Sequence, residues 1–263
     1  RVFLLILALA LALSGTALGN SVMNTRTVRV GVFSLGQFQI IAHNDDGTIT
    51  VTGYNADYLK QVTQKTHWNI EYVLCESWPD ATDKLEKGEI DLLAPAQITD
   101  ALKEKFDYAA LYMGSESGAI YAKVGCPVDY EDFAAMGALT IGCAENTTFA
   151  KYFAEHYCAD HGITPTIKYY ANTTKLSEAL ADGEVDAIVT NIMFASARYK
   201  MLDWFLVLPV YYITQKGNAE LLQELNEAMR ALLVEKPTLI SDLANKYFPI
   251  YGTTNITAAE REY

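Results

Sequence analysis

The apolar positions of this chain fall into short strand-like runs separated by amphipathic stretches with helical spacing. VRVGVF (28–33) and LTIGCA (139–144) are compact runs, each followed by a polar turn, a helix and a second run, NIEYVLC (69–75) or PTIKYYA (165–171). Another helical stretch follows in each case, WPDATDKLEK or TKLSEALAD, and leads into a near-repeated phrase, GEIDLL (88–93) or GEVDAI (183–188). G-E-[IV]-D alone is an ordinary helix stop and strand start. The matched order of flanking elements makes it an internal repeat in which each half reads β-α-β-α-β. Two such halves facing one another predict a two-lobed α/β protein with a cleft, and clefts bind small molecules.

Start and stop signals place the elements. Asp45-Asp46-Gly47 is a hairpin turn, and Asn55 is the expected cap of a helix ending near Lys65. Ser77 caps the next helix with Pro79 in its first turn; Trp78, Ala81 and Leu85 share one face, and Gly88 ends it. IDLLA then reads as a strand buried on both faces, as in a parallel sheet. In the second half Thr147 or Thr148 caps FAKYFAEHY, whose Phe149, Tyr152, Phe153 and His156 trace a helical stripe; His156 is read as packed or solvated. MGSESG (113–118) is a hinge strand or linker between the halves, and a second crossing is expected near 208–212, before the amphipathic AELLQELNEAMRALLVE.

The first residues bear on location. Arg1, an apolar run from Val2 to Leu13 and then SGTALG, with Ala17 and Gly19 at small-residue positions, read as a signal peptide over 1–19. The run is short for a membrane span, although an uncleaved anchor is the alternative. The absence of an initial Met reads as truncation. Residues 20–263 suffice for one bilobal unit. A net charge of -12 without a basic cluster argues against nucleic acid. Cys75, Cys126, Cys143 and Cys158 show neither CxxC nor metal-ligand spacing, and allow either a disulfide among the last three or free buried thiols. Sequons at Asn146, Asn172 and Asn255 are read as loop chemistry.

Open α/β sheets bind ligands beyond the carboxyl ends of their strands, where amides at helix starts are free. That rule selects 34–38, 94–99, 145–148 and 190–191. The candidate ligand-binding residues are Phe38, Trp78 as an aromatic wall, and the neutral polar set Gln97, Thr99, Asn146, Thr147, Thr148 and Asn191. No GxSxG, HExxH, CxxC or P-loop occurs, so no catalytic residue, metal or cofactor is assigned. Glu145, beside the expected cleft, is the one acid singled out for testing.

GYNADYLKQVTQKTHWNIEYV, W-x6-L-x2-GEIDLL, QITD with KFDY, GEVDAIVTN and KGNAELLQELNEAM together resemble the extracellular solute-binding protein family 3 over about 27–250. The resemblance implies a type II periplasmic-binding fold: lobe one from 27–113 and 211–250, lobe two from 118–208, two crossing strands, a tail at 251–263, and hinge closure on a solute. It also implies a location in the periplasm or outside the cell. The short interval from Asp91 to Thr99 looks like the versions in bacterial membrane sensors, and NITAAEREY resembles a linker to another such domain. Two departures matter. The arginine with which amino-acid binders of the family fork the ligand carboxylate is matched by Leu102, and their ammonium-holding aspartate by Asn191. Lys103 and Lys105 are read as solvated. The expected function is therefore a receptor for a small, neutral or weakly polar solute, partnered with a membrane sensor module or an ABC permease. A periplasmic enzyme on the same fold, such as a dehydratase or a lytic transglycosylase-associated domain, is the alternative, as is a degenerate protein-interaction domain.

Overall fold

The computed structural model describes residues 25–194 and 198–248. The signal peptide read at 1–19, the C-terminal tail and the Asn255 sequon lie outside them. The chain forms β1 (Thr27–Val32), β2 (Ile40–His43), β3 (Ile49–Thr52), α1 (Tyr54–Thr66), β4 (Asn69–Leu74), α2 (Trp78–Glu86), β5 (Leu93–Ala96), α3 (Asp100–Lys105) and β6 (Phe106–Tyr108). The long strand β7 (Gly114–Lys123) leads to α4 (Phe133–Met136), β8 (Thr140–Ala144) and α5 (Thr148–Tyr152), which runs through a π turn (Phe153–Tyr157) into α6 (Cys158–Asp160). After these come β9 (Thr166–Tyr170), α7 (Thr173–Asp182), β10 (Ala187–Asn191), the long β11 (Tyr199–Gln215), α8 (Ala219–Glu235) and α9 (Leu239–Tyr247).

The repeated phrase has the same structural job twice. Asp91 accepts the Arg29 backbone N–H at 2.8 Å, and Asp186 accepts the Thr140 N–H at the same distance. In each half this aspartate ties the third strand of the unit to the start of the first. Gly88 and Gly183, both at positive φ, end the preceding helices in the left-handed conformation that glycine adopts without a Cβ clash. In one lobe β1 pairs in parallel with β4 and bridges to Leu92 ahead of β5; in the other β8 lies between β9 and β10, parallel to both. The lobes share β7 and β11, an antiparallel pair whose register shifts between Phe205 and Leu208. The C-terminal part of β11 pairs with β5 and β6, while β7 also pairs with β10, so these two strands carry the chain between the lobes.

Periodicity explains which faces are buried. Val28, Val30 and Val32 alternate into the core of the first lobe, and Tyr54, Tyr58, Leu59 and Val62 of α1 form a helical stripe against it. In α2 Ser77 accepts the Asp80 N–H, while Ala81 and Leu85 are fully buried. Truncating Leu85 to Ala would cost about 2–5 kcal/mol by loss of transfer energy and the cavity left behind. In the second lobe Leu176, Ala179 and Leu180 pack α7 onto the sheet. Thr147, rather than Thr148, caps α5 by accepting the Ala150 N–H. Phe149 and Phe153 are buried beneath it, as the stripe predicted, and all four cysteines are free.

Asn55 does not cap α1. Gly53 occupies the cap position, and the Asn55 side chain is buried, donating to Gln39 Oε1 at 3.0 Å and accepting the Tyr212 hydroxyl at 2.6 Å. Gln39 in turn donates to the Phe33 carbonyl at 3.4 Å. This chain of polar contacts joins α1 and β11 to the loop after β1. With both partners supplied internally, the amide is worth more to the buried network than to the helix end.

Candidate functional site

The carboxyl ends of β1, β5, β8 and β10 meet across the cleft, where Glu116 of β7 is the buried centre. Its side chain is almost wholly enclosed, with 6% of the residue exposed. Gln97, just beyond β5, donates its amide to Oε1, and Asn191, at the end of β10, donates to Oε2. Asn191 Oδ1 accepts the Met193 backbone N–H at 2.8 Å, which turns its amide nitrogen toward the carboxylate. Gln97 is oriented in the same way: its Oε1 accepts the Thr148 hydroxyl at 2.9 Å, while its backbone carbonyl accepts the Tyr108 hydroxyl at 2.8 Å. Burial raises the Glu116 carboxyl above the usual carboxylate range, and the two amide donors pull in the opposite direction.

Two cavities flank this network. One, of about 300 Å³, is lined by Phe33, Leu35, Trp78, Pro95, Gln97, Thr99, Leu102 and Glu116. The Phe33 and Trp78 rings meet edge to face, 6.1 Å apart, so the wall opposite the carboxylate is aromatic. The second, of about 200 Å³, lies on the other lobe among Gln97, Thr147, Thr148, Thr173, Thr190, Asn191 and Phe194. Gln97 belongs to both. The lobes also touch at their rim, where the Gln37 N–H donates to the Met193 carbonyl at 3.1 Å. Gly36 has φ +49°, and a Cβ there would lie 1.7 Å from that same oxygen.

Of the sequence candidates, Trp78, Gln97, Thr99 and Leu102 face the first cavity, and Gln97, Thr147, Thr148 and Asn191 the second. Phe38 is not at the cleft. The loop folds back through a Leu35–Gln39 bridge, and Phe38 is fully buried with its ring stacked on Tyr54 at 5.7 Å. Asn146, in the left-handed conformation, faces a neighbouring surface depression with Lys151, Glu155 and Tyr169, which shares Thr147 and Thr148 with the second cavity. Glu145 is exposed and lines neither cleft cavity. Lys103 is exposed, and Lys105 pairs with Glu86 at 2.7 Å.

Glu116 was missed because its stretch reads as a small, polar hinge. Strand alternation gives no signal either, since Ser115 is exposed but burial then runs unbroken from Glu116 to Ala122. Among the described residues no group of three His, Cys, Asp or Glu side chains is placed to hold a metal ion.

The family profile of the bacterial extracellular solute-binding proteins, family 3, matches residues 36–250. The chain belongs to this family. Its members act outside the cytoplasm as solute receptors, and the two-lobed architecture with shared crossing strands is theirs. Among solved structures, substrate-binding domain 2 of Lactococcus lactis GlnP, in an open conformation, is 19% identical with a TM-score of 0.63 over 87% of this chain and 98% of that one. The probable amino-acid ABC transporter extracellular-binding protein ytmK of Bacillus subtilis is 14% identical, with a TM-score of 0.67 over 85% and 97%. The periplasmic domain of B. pertussis BvgS is 16% identical, with a TM-score of 0.64 over 84% of this chain and 42% of that one. No curated protein matches at the sequence level. These family and fold relatives are binding proteins, and the fold is what the likenesses share.

Proposed function

We propose that this chain is the receptor domain of a membrane partner, either an appended sensor module or an ABC permease, and that it closes on a small solute other than an ordinary α-amino acid. The lobes, 27–113 with 211–250 and 118–208, hinge where β7 and β11 cross. Residues 1–19 direct the chain to the periplasm or cell exterior.

One observation carries this reading: among the described residues lining the two cleft cavities, Glu116 is the sole ionisable side chain. A zwitterion entering the cleft would lose water from its carboxylate without a cationic partner, and breaking a buried charged pair typically costs about 3–5 kcal/mol. That the described residues lining the two cavities include one acid and neither histidine, serine nor a second carboxylate also supports binding rather than catalysis. The test is calorimetry of the purified chain against the twenty amino acids and a library of non-zwitterionic solutes. Tight binding confined to the latter is expected; submicromolar binding of any α-amino acid would overturn the reading.

A further inference from the structure

Glu116 is a buried acid, and among the described residues lining the two cavities none is a cation. An ionised carboxylate has about four acceptor positions, and the Gln97 and Asn191 amides use one on each oxygen. The rest of its surroundings are Phe33, Leu35, Trp78, Pro95 and Leu102, apolar walls around a cavity of about 300 Å³. Such an environment disfavours an anion, because the side-chain donors at hand are neutral, the Gln97 and Asn191 amides already turned to Glu116, the Thr99 hydroxyl and the Trp78 indole N–H, and a neutral solute would leave the carboxylate without a counter-charge.

We infer that the cleft selects a small organic cation: a primary ammonium group hydrogen-bonded to Glu116, carried on a flat or branched apolar body that lies against Trp78 and Phe33, with no carboxylate of its own. This rests on the reading of the cleft as a solute site and adds the chemical class of the solute. The ammonium supplies the missing counter-charge, and its remaining N–H bonds reach Gln97 Oε1 and the Thr99 hydroxyl side of the cavity. The aromatic pair adds attraction for a cation near its face. Leu102 excludes a carboxylate by offering it only apolar surface.

The pairing also sets a pH dependence. The influences on the Glu116 carboxyl are burial, which raises it, and the Gln97 and Asn191 amides, which lower it. α2, the segment from β5 to α3, α5 and β10 present Trp78, Pro95, Thr99, Leu102, Thr148 and Asn191 to the two cavities, and β11 sets Leu208 opposite Glu116, none of them titratable; Tyr108, whose hydroxyl donates to the Gln97 carbonyl, is a titratable group beyond them. Binding an ammonium requires the ionised carboxylate. Amine affinity therefore rises with pH through the elevated Glu116 value and levels off above it, and below that value binding releases a proton.

The experiment is isothermal calorimetry with 2-phenylethylamine, its neutral isostere 2-phenylethanol, and phenylalanine, in two buffers of different ionisation enthalpy. The amine is expected to bind the wild-type chain, more tightly with rising pH and with proton release at the acid end, and Glu116→Gln should weaken it by about tenfold or more. Proton release is read on the wild-type chain and does not depend on the variant folding. Failure of the amine to bind at millimolar concentration, or binding that Glu116→Gln leaves unchanged, overturns the inference. Equal or better binding of the alcohol or of phenylalanine also overturns it; the alcohol would leave the non-zwitterionic solute site standing, whereas submicromolar phenylalanine would overturn that reading as well.

Discussion

Gln97 and Thr148, 51 residues apart and on opposite lobes, meet across the cleft at 2.9 Å, and the same Gln97 holds Glu116 with its other amide atom. The residue that bridges the lobes is therefore also one that holds the acid. Thr148→Val removes the hydroxyl at near-constant volume. It should weaken solute binding by about 0.5–1.5 kcal/mol, the net worth of one hydrogen bond, with little change in melting temperature because the residue is exposed on its own lobe. Paired calorimetry and thermal melts check both halves of that expectation.

Gly36 offers a cleaner separation of folding from closure. A Cβ at this position would collide with the backbone carbonyl of Met193 on the other lobe, and backbone cannot move aside as a flexible side chain can. Gly36→Ala should cost about 1–2 kcal/mol of stability for the left-handed conformation, yet reduce solute affinity by far more than Thr148→Val does. A variant that melts near the wild type and binds normally would show that this rim contact does not form on closure.

The family resemblance of the sequence implies that Asn191 and Leu102 take the positions at which amino-acid binders carry an aspartate and an arginine. Restoring only the aspartate should fail. The Asn191 amide donates to Glu116, so Asn191→Asp exchanges a donor for a second carboxylate against a buried acid. One of the two must then take a proton, and stability should fall most at high pH. Gain of amino-acid binding is expected for Leu102→Arg with Asn191→Asp and Glu116→Gln together, and not for the first two alone; calorimetry with glutamine and arginine distinguishes these outcomes.

Glu116 also leaves a mark on stability without solute. A carboxyl whose folded value is raised contributes stability that is fully present below its unfolded value and lost as pH rises through the folded one. Glu116→Gln should therefore match the wild type in acid and melt higher at neutral and alkaline pH, each kcal/mol being worth about 2–4 °C for a domain of this size. Equal melting temperatures across that range would contradict a costly buried carboxylate.

The repeated units were legible in sequence because the same local demands recur in each half. An aspartate ties the third strand to the first, and a glycine in the left-handed conformation ends the helix before it. Helix faces followed from spacing, since burial of Ala81 and Leu85 or of Leu176 and Leu180 is a matter of period alone. The site was harder to read. Phe38 follows a strand, as cleft residues do, but a single backbone bridge between Leu35 and Gln39 turns it inward onto Tyr54. Asn55 resembles a cap, yet its partners Gln39 and Tyr212 arrive from distant segments. Glu116 is the extreme case: its partners Gln97 and Asn191 are 19 and 75 residues away, and nothing beside it in the chain announces burial.

We propose that two lobes hinged on β7 and β11 close around a solute. Among the described residues the Gln97–Thr148 and Gln37–Met193 hydrogen bonds join their rims, each worth about 1 kcal/mol net, so a bound solute can decide the balance. Small-angle scattering of the purified chain, with and without a saturating solute found by calorimetry, tests this directly. A smaller radius of gyration is expected in the presence of solute; micromolar binding that leaves the scattering curve unchanged would contradict hinge closure.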